Sequence, residues 1–300
     1  MKFKLKSLKQ LFKNTAKAWW NKDPFSQSAV LAYYALFAIP GLLFLIITST
    51  KYFFGEESVS KNLIKQVSET MGPEIAAQIN EILISVGKTN STVLGSLIGI
   101  TILIIGATGV FTQLQKNLNL IWHVKLVPTK GFVRIAKARL FSFGLILAIS
   151  FLLLISLVVS TAIAGFSDLI TVDSSGFVTV LFIILNFLIS LGVVSVLFAL
   201  IFKILPDAKL KWKHVWLGAF VTGLLFTLGK TALAFYFGKA SPASAYGAAG
   251  SIILILLWTS YSSMILFFGA EFTSEYTKMY AGEVAPSEIA KKSTKAKKRS

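Results

Sequence analysis

Six long apolar runs constrain the fold of this 300-residue chain more than any other feature. A helix rises 1.5 Å per residue, so about 20 apolar residues cross the roughly 30 Å of hydrocarbon in a bilayer. The runs show no strand-like alternation, and a helix satisfies its own backbone where water is absent. The predicted fold class is therefore an all-α membrane protein, a six-transmembrane-helix bundle. We expect the spans at about residues 29–50, 93–112, 140–165, 177–202, 215–237 and 247–270.

The basic residues are distributed unevenly between these runs. Of 30 Lys and Arg, 24 lie in the two termini and in the segments that follow the second and fourth runs. Cytoplasmic segments of membrane proteins carry such an excess, so we expect both termini to lie inside the cell. The net charge of +17 is then an orientation signal, and nucleic acid is not a predicted partner. The same lysines are suited to anionic headgroups, so membrane lipids are the predicted partners.

Two amphipathic segments flank the first run. Residues 3–20 space leucines among lysines at helical intervals, which predicts a helix at the inner membrane surface; a simple flank of the first span is the alternative. Residues 56–88 hold two helical patterns, separated by Gly72 and Pro73, that are each too short to span. We expect them to be outward-facing amphipathic cap helices between spans 1 and 2.

The C-terminal segment differs in composition from the rest of the chain. Residues 285–300 are rich in Lys and Ser and have no apolar face to bury, so they are predicted to be a disordered cytoplasmic tail. In residues 1–284, six spans and their connections leave no room for a separate soluble domain. We therefore predict a single six-span membrane domain followed by a basic tail.

The reactive side chains are too few and too scattered for catalysis. The chain has no Cys, which excludes thiolate chemistry and disulfides, and its two His, His123 and His214, lie on different segments. There is no phosphate-binding loop or dinucleotide fingerprint, so we do not expect an ATP-driven pump within this chain. We predict no enzymatic activity, no catalytic residue, no metal site and no cofactor.

Pro40 and Gly41 stand side by side near the middle of the first predicted span. Proline removes one helical donor, and glycine lets a neighbouring backbone approach, so the pair predicts a local disturbance of the helix. A packing kink is one interpretation. The other is a broken helix whose backbone polarity faces a substrate cavity, as in many transporters.

Two ionisable residues fall inside predicted spans, where a charge is costly. Lys230 lies in the fifth span and Glu271 near the end of the sixth, so we expect them to be about 15 Å or more apart along the membrane normal. Lys230 either reaches outward to the interface or attracts an anionic group within a cavity. Glu271 either meets a cytoplasmic base or helps to gate the inner side.

Polar side chains in the first, second and sixth spans complete a predicted substrate pathway. Gln113 and Asn117 share one helical stripe in the continuation of the second span. The sixth span has many hydroxyl groups for a lipid-facing helix, although hydroxyls also bond to their own helix, and packing is the alternative. The predicted pathway consists of Tyr33, Tyr34, Pro40, Gly41, Gln113, Asn117, Lys230, Tyr246, Ser260, Tyr261 and Glu271.

Four stretches resemble the YihY/BrkB (virulence factor BrkB) family of bacterial inner-membrane proteins, once labelled ribonuclease BN. The stretches are AYYALFAIPGLLFL at 32–45, GATGVFTQLQKNLNLIW at 106–122, LPDAKLKWKHVWLGA at 205–219 and YGAAGSIILILLWTSYSSMILFFGAEFT at 246–273. The resemblance implies a six-span bundle in the bacterial cytoplasmic membrane, with both termini inside, and a role in the cell envelope. The ribonuclease label conflicts with the scattered His and carboxylate residues of this sequence, which offer no clustered metal ligands.

The predicted pathway and the resemblance together favour a transporter or flippase for an anionic lipid or an amphiphilic envelope precursor. In this interpretation Pro40 and Gly41 form a hinge, Lys230 binds the anionic group, and the outer helices cover the exit. The alternative is a non-transporting membrane scaffold that recruits envelope-assembly partners through its basic tails.

Overall fold

The computed structural model describes residues 5–54, 64–65, 67–68, 72–88, 93–126, 176–240, 242, 246, 249–282, 284–287 and 290–292. Within these residues the chain is mostly helical, with seven helices and two three-residue strands. The helices are α1 (Leu5–Trp20), α2 (Pro24–Phe54), α3 (Pro73–Lys88), α4 (Val93–Ile121), α5 (Gly176–Ile204), α6 (Trp212–Ala240) and α7 (Gly250–Ala281). The strands are β1 (Val124–Leu126) and β2 (Ala290–Lys292).

Three of the described helices contain stretches long and apolar enough to cross a membrane: Phe187–Ile204 in α5, Trp212–Ala240 in α6 and Ile252–Ala281 in α7. They correspond to the fourth, fifth and sixth predicted spans, and the prediction of a helical fold with apolar helices long enough to span a membrane is confirmed for these three. In α2, the residues Pro24–Ile39 form a shorter apolar helix. The predicted span at 140–165 lies outside the described residues. The count of six spans and the side of the termini stay predictions.

The start of α2 shows a sequence-encoded cap. Asp23 has a positive φ of 51°, and its carboxylate accepts a hydrogen bond from the Ser26 N–H at 3.3 Å. Pro24 occupies the first helical position. A backbone N–H at this position would have no hydrogen-bond partner within the helix, so the absence of an N–H in proline breaks no helical hydrogen bond. Asp23 and Pro24 therefore separate α1 from α2.

The proline–glycine pair of α2 does not interrupt the helix. α2 is one helix of 31 residues that runs through Pro40 and Gly41 to Phe54. The broken helix considered from the sequence is therefore not observed, because one proline removes one donor and the turns on either side keep their own hydrogen bonds. The surroundings of Pro40 and Gly41 lie outside the described part of the chain.

The described helices group into two compact units. The first unit consists of Met1–Trp19, Gln115–Leu225 and Leu266–Ser300. The second unit consists of Trp20–Leu114 and Phe226–Ile265. Each unit has its own hydrophobic cluster.

In the second unit, α3 packs its apolar face against α6 and α7. Ile75 and Ile79, on adjacent turns of α3, are buried in one cluster with Trp258. α3 starts directly after Gly72, whose φ of +99° is a left-handed conformation that glycine adopts at little cost. The second predicted amphipathic helix is present, while its location on the outer side stays a prediction. The four described residues of the first predicted amphipathic helix, between 64 and 68, are helical.

Also in the second unit, α2 and α4 pack closely through glycines of α4. The Tyr34 ring lies against Gly109, where an added Cβ would overlap it. A Cβ on Gly106 would lie 2.7 Å from the Ala38 nitrogen. The two helices run antiparallel there, since the earlier residue of α2 meets the later residue of α4. The absence of side chains at both glycines allows the close approach.

In the first unit, α6 and α7 pack through two reciprocal glycine–threonine contacts. Thr273 lies against Gly218, and Thr222 lies against Gly269; a Cβ on either glycine would overlap the threonine. Each threonine hydroxyl donates to the carbonyl four residues earlier on its own helix, Thr222 to Gly218 at 2.6 Å and Thr273 to Gly269 at 2.7 Å. Both hydroxyls are thereby satisfied within their own helices, as an apolar interface requires.

α1 lies along α7 in the first unit. Leu11 is buried in a cluster with Phe272, and the rings of Trp19 and Phe268 are 5.8 Å apart. The amphipathic helix predicted near the N-terminus is therefore present, and its buried face packs on a second helix; its location at the inner membrane surface stays a prediction. The stripe of α7 that it covers consists of aromatic residues four apart: Phe268, Phe272, Tyr276 and Tyr280.

Part of the C-terminal tail is paired. β2 runs antiparallel to β1, with Ala290 opposite Leu126 and Lys292 opposite Val124. Composition predicts disorder from residue 285 onward, and for these paired residues the structure differs, because their backbone groups bond to a segment distant in sequence. Residues 293–300 lie outside the described residues, and the boundary after 284 stays a prediction.

Candidate functional site

A buried polar network in the first unit connects the end of α4 to the segment between α5 and α6. The Asn119 amide binds Asp207 twice: its Nδ2 donates to Asp207 Oδ2 at 2.7 Å, and its Oδ1 accepts from the Asp207 N–H at 2.8 Å. Gln115 donates its Nε2 to the same carboxylate oxygen at 3.2 Å. The four-residue spacing of Gln115 and Asn119 places them on one face of α4, so both reach one carboxylate. We call these three residues the Asp207 network.

The surroundings of Asp207 oppose its ionisation. Burial raises the pKa of the Asp207 carboxyl above its ordinary value, and the hydrogen bonds from Asn119 and Gln115 offset part of that increase. The charged form is therefore held by specific donors but has lost much of its hydration. A proton on this carboxyl is bound more tightly than it would be in water.

The backbone around Asp207 also binds the C-terminal tail. The Asp207 carbonyl accepts from the Ser287 N–H at 2.9 Å, and the Lys209 N–H donates to the Ala285 carbonyl at 2.9 Å. Between them, Ala208 and Pro286 form an antiparallel bridge. With the pairing of β1 and β2, the tail contacts both segments that the Asp207 network joins.

The end of α7 reaches the same end of α4. The Ser274 hydroxyl donates to the Ile121 carbonyl at 3.4 Å. The Lys278 ammonium lies 3.3 Å from His123 Nε2 and 2.7 Å from the carboxylate of Glu275. His123 has a positive φ of 53°, and this turn ends α4 and directs the chain into β1. Contacts from α7 thus fix the last turn of α4.

The chemistry of this region is suited to positioning helix ends. Its members are amides, one buried carboxylate and a lysine–glutamate ion pair, and the contacts given above pair no hydroxyl with a histidine or carboxylate base. Across the part of the chain that the structure describes, no group of three His, Cys, Asp or Glu residues could hold a metal ion. The contacts of the region join the tail to the segment before α6, and α7 to the end of α4.

Nine of the eleven predicted pathway residues belong to the second unit. Tyr33 and Tyr34 contact each other with ring centroids 5.8 Å apart; Tyr33 is exposed, and Tyr34 packs on Gly109. Gln113 is half-buried and lies one turn after Gly109 on the same face of α4. The structure thus brings Tyr34 to the helix face that carries Gln113, and Tyr33 contacts Tyr34.

Four further pathway residues of the second unit lie on α6, on α7 and between them. The Tyr261 hydroxyl packs on Gly229, where an added Cβ would overlap it. Lys230, the next residue of α6, is half-buried, as is Ser260 beside Tyr261. Both therefore lie next to the contact of α6 with α7. Tyr246, between the two helices, is exposed.

The other two pathway residues, Asn117 and Glu271, belong to the first unit, and both are buried. Asn117 lies between Gln115 and Asn119 on α4. Glu271 is 1% exposed and follows Gly269, a contact of α7 with α6, by two residues. The role of all eleven residues in a substrate pathway stays a prediction.

The Asp207 network was missed as a site from the sequence, where Asp207 counts as one of several scattered acids. Two signals point to it in retrospect. Gln115 and Asn119 are amides four residues apart at the end of a long helix, and Asp207 is the one acid between residues 203 and 220. Neither signal indicates that the two segments meet in space.

Comparison with known proteins points to one family. The family model described as Virulence factor BrkB matches residues 15–294. Relatives named UPF0761 membrane protein include one from Alcanivorax borkumensis, 32% identical over 84% of this chain and 57% of its own length. The relative from Saccharophagus degradans is 26% identical over 89% of this chain and 59% of its own length. The relative from Haemophilus influenzae is 27% identical over 87% of this chain and 94% of its own length. The chain thus spans less than two thirds of the first two relatives. No solved structure matches it.

Proposed function

The chain belongs to the Virulence factor BrkB family of membrane proteins, and from this premise we propose that it transports an anionic lipid or an amphiphilic envelope precursor across the bacterial cytoplasmic membrane. The transport would be that of a secondary transporter or flippase, since the sequence has no nucleotide-binding motif to power a pump. Acidic lipids are the proposed substrate class.

One observation carries this proposal: a fully buried carboxyl group in a helix long enough to span a membrane. Glu271 is 1% exposed and lies in the stretch Ile252–Ala281 of α7. An ionisable side chain in such a stretch is costly, and in membrane proteins it commonly serves a substrate or ion pathway. Lys230, half-buried in α6, supplies a positive charge in a second such stretch.

In the proposed mechanism, Lys230 attracts the anionic group, and the hydroxyls of Ser260 and Tyr261 offer hydrogen bonds beside it. Glu271 gates the inner side. Because α2 is continuous, the hinge proposed at Pro40 would be a bend within a helix rather than a break between two helices.

The proposal is tested by measuring lipid flux in proteoliposomes. The full-length protein is reconstituted with a fluorescent phosphatidylglycerol, and dithionite reports how fast the label reaches the outer leaflet. We expect the wild type to exceed protein-free liposomes, and Lys230→Ala and Glu271→Gln each to slow the flux at least about tenfold, the scale of one lost charge interaction.

Matched variants on the same helices control this experiment. Lys239→Ala removes an exposed lysine from α6, and Glu275→Gln removes the carboxylate of α7 that pairs with Lys278. Both should retain wild-type flux. Wild-type flux no faster than that of protein-free liposomes, across a panel of acidic lipids, would refute the proposal.

A non-transporting scaffold is the second candidate, and the paired tail favours it. Because β2 is fixed against β1, the basic segment 293–300 begins at a defined point. If the protein is a scaffold, a variant without residues 293–300 should fail to complement a strain that lacks the gene, and Lys230→Ala should complement it. Complementation is scored as resistance of the cells to detergent. The transporter predicts the reverse. A longer deletion would be ambiguous, because it also removes the contacts of Ser287 with Asp207.

We infer in addition that six spans cross the membrane with both termini in the cytoplasm. The three candidate spans and the uneven distribution of Lys and Arg support this arrangement. That the chain is not an enzyme and needs no cofactor is likewise proposed, on the scarcity of reactive side chains in the sequence.

A further inference from the structure

The face of α1 opposite its buried side is basic and exposed. Lys9, Lys13 and Lys17 follow one another at four-residue intervals and are all exposed, so they form one stripe along the helix. Leu11 and Thr15, on the other side, are buried. α1 is therefore held in place by its apolar side, and its lysines are free to meet a ligand outside the protein.

The first turns of α6 expose large aromatic side chains. Trp212 and Trp216 are 45% and 46% exposed, and Phe220 continues the same stripe one turn further. Lys213, beside this stripe, is exposed. Exposed tryptophans at the beginning of a candidate span are typical of the headgroup region of a bilayer, where an amphipathic ring has one apolar and one wet side.

The helices that carry the basic stripe and the aromatic stripe, α1 and α6, meet within the first unit. Leu217 and Val221 of α6 pack on the cluster that contains Leu11 of α1. These two residues directly follow Trp216 and Phe220 in the helix, so α1 lies beside the exposed aromatic stripe. Both stripes are exposed on helices of the first unit that meet at this cluster, and we call them together the basic–aromatic surface: Lys9, Lys13, Lys17, Trp212, Lys213 and Trp216.

The positive charge of this surface is not offset by the acids of the same segments. Residues 5–20 contain no Asp or Glu, and residues 203–220 contain Asp207 alone, which is buried and hydrogen-bonded to Asn119. In the adjoining half of α7, Glu271 is buried and Glu275 pairs with Lys278. Within these segments, no exposed and unpaired acid therefore offsets the charge of the lysines toward an anionic ligand.

The geometry points to the headgroups of acidic phospholipids as the ligand of the basic–aromatic surface. Lysine ammonium groups bind lipid phosphates electrostatically, and tryptophan rings insert at the depth of the lipid glycerol. Nucleic acid fits less well, because the aromatic stripe continues into a helix that is apolar enough to span a membrane. This inference is independent of transport: the surface would bind acidic lipid whether or not the protein moves lipid across the bilayer.

Tryptophan quenching by brominated lipid tests the inference directly. The full chain in dodecylmaltoside is titrated with dibrominated phosphatidylglycerol or dibrominated phosphatidylcholine. We expect half-saturation of the wild type to require at least about tenfold less phosphatidylglycerol than phosphatidylcholine. The reason is that each lysine near the membrane surface adds to the attraction of the acidic headgroup. A triple variant that carries Lys9→Gln, Lys13→Gln and Lys17→Gln should lose this preference. The single variant Trp216→Phe should reduce the fraction of the fluorescence that is quenched.

Two control variants separate this surface from general charge and from misfolding. Substitution of Lys9, Lys13 and Lys17 by Arg keeps the charge and should restore the preference. Replacing three exposed lysines elsewhere in the first unit by Gln should leave the preference intact: Lys116, Lys125 and Lys292.

Three results would overturn the inference. One is an unchanged preference for phosphatidylglycerol in the α1 glutamine variant, and a second is an equal loss in the variant at Lys116, Lys125 and Lys292. The third is displacement of the brominated lipid by a soluble competitor at the same concentration as the lipid. Displacement by glycerol phosphate would identify a free phosphate site, and displacement by a single-stranded oligonucleotide would identify a nucleic-acid surface.

Discussion

At Asp207, two opposing effects act on one carboxyl group. Burial disfavours the charged form and raises its pKa, while two amide donors favour the charged form. The raised pKa means that the folded protein binds this proton more tightly than the unfolded chain does. The stabilising contribution of the proton is therefore complete below the unfolded pKa and is lost as the pH rises through the folded-state pKa.

This sign leads to a prediction for Asp207→Asn. An asparagine can keep an oxygen at the Oδ2 position and accept both amide bonds, but it does not titrate. We expect the melting temperature of the wild type minus that of Asp207→Asn to be highest at acidic pH and to fall as the pH rises through the folded-state pKa of Asp207. Tryptophan fluorescence in detergent measures it, and Asp23→Asn, at an exposed carboxylate, is the control. A difference that increases with pH would contradict the prediction.

The Asp207 network also shows which parts of a site the sequence can predict. Gln115 and Asn119 could be placed on a helix from local spacing, because residues four apart share a helical face. Their partner lies 92 and 88 residues away, and helical periodicity contains no information about such a distance. Glu271 was found because a charge in an apolar stretch stands out without knowledge of its neighbours.

Among the helices, α6 and α7 depend on close approach at Gly218 and Gly269. A Cβ at Gly218 would overlap Thr273, so Gly218→Ala requires the helices to separate, at a cost of about 1–3 kcal/mol in the free energy of unfolding. Thr273 cannot easily turn away, because its hydroxyl is bonded to Gly269. We expect Gly218→Ala to lower the melting temperature and the midpoint of SDS unfolding.

Gly192 of α5 offers a matched control for that prediction. An added Cβ at Gly192 has nothing within 4 Å, so Gly192→Ala should be neutral or slightly stabilising through helix propensity. A similar loss of stability in both variants would mean that the cost arises from replacing glycine in general and not from the packing of α6 on α7.

Elements differ in how far the sequence determines them. Apolar length and composition predicted α5, α6 and α7, and the spacing of Ile75 and Ile79 predicted α3, because these signals act within one helix. β2 was not predicted, since a three-residue strand of lysine-rich sequence has no pattern of its own. Its order depends on β1, more than 160 positions earlier in the chain. The continuity of α2 through Pro40 was likewise open, because proline both kinks and ends helices.

For the molecule as a whole, the arrangement relative to the membrane follows from the placement of charge. Lys209 and Lys211 precede α6, Lys213 lies in its first turn, and its 29 residues extend about 43 Å, more than the hydrocarbon layer. The segment before α6 and the segment after it should therefore lie on opposite sides. The lysine-rich side is expected in the cytoplasm.

Because the chain contains no cysteine, single-cysteine labelling tests this orientation without background from native thiols. Lys211 precedes α6 and Tyr246 follows it, and both are exposed. With a membrane-impermeant maleimide on intact cells, we expect Tyr246→Cys to be labelled and Lys211→Cys to react after permeabilisation alone. Labelling of Lys211→Cys in intact cells, with Tyr246→Cys protected, would reverse the orientation. Labelling of both would show that α6 does not cross the membrane, and the assignment of Lys230 to a transport pathway would then fail with it.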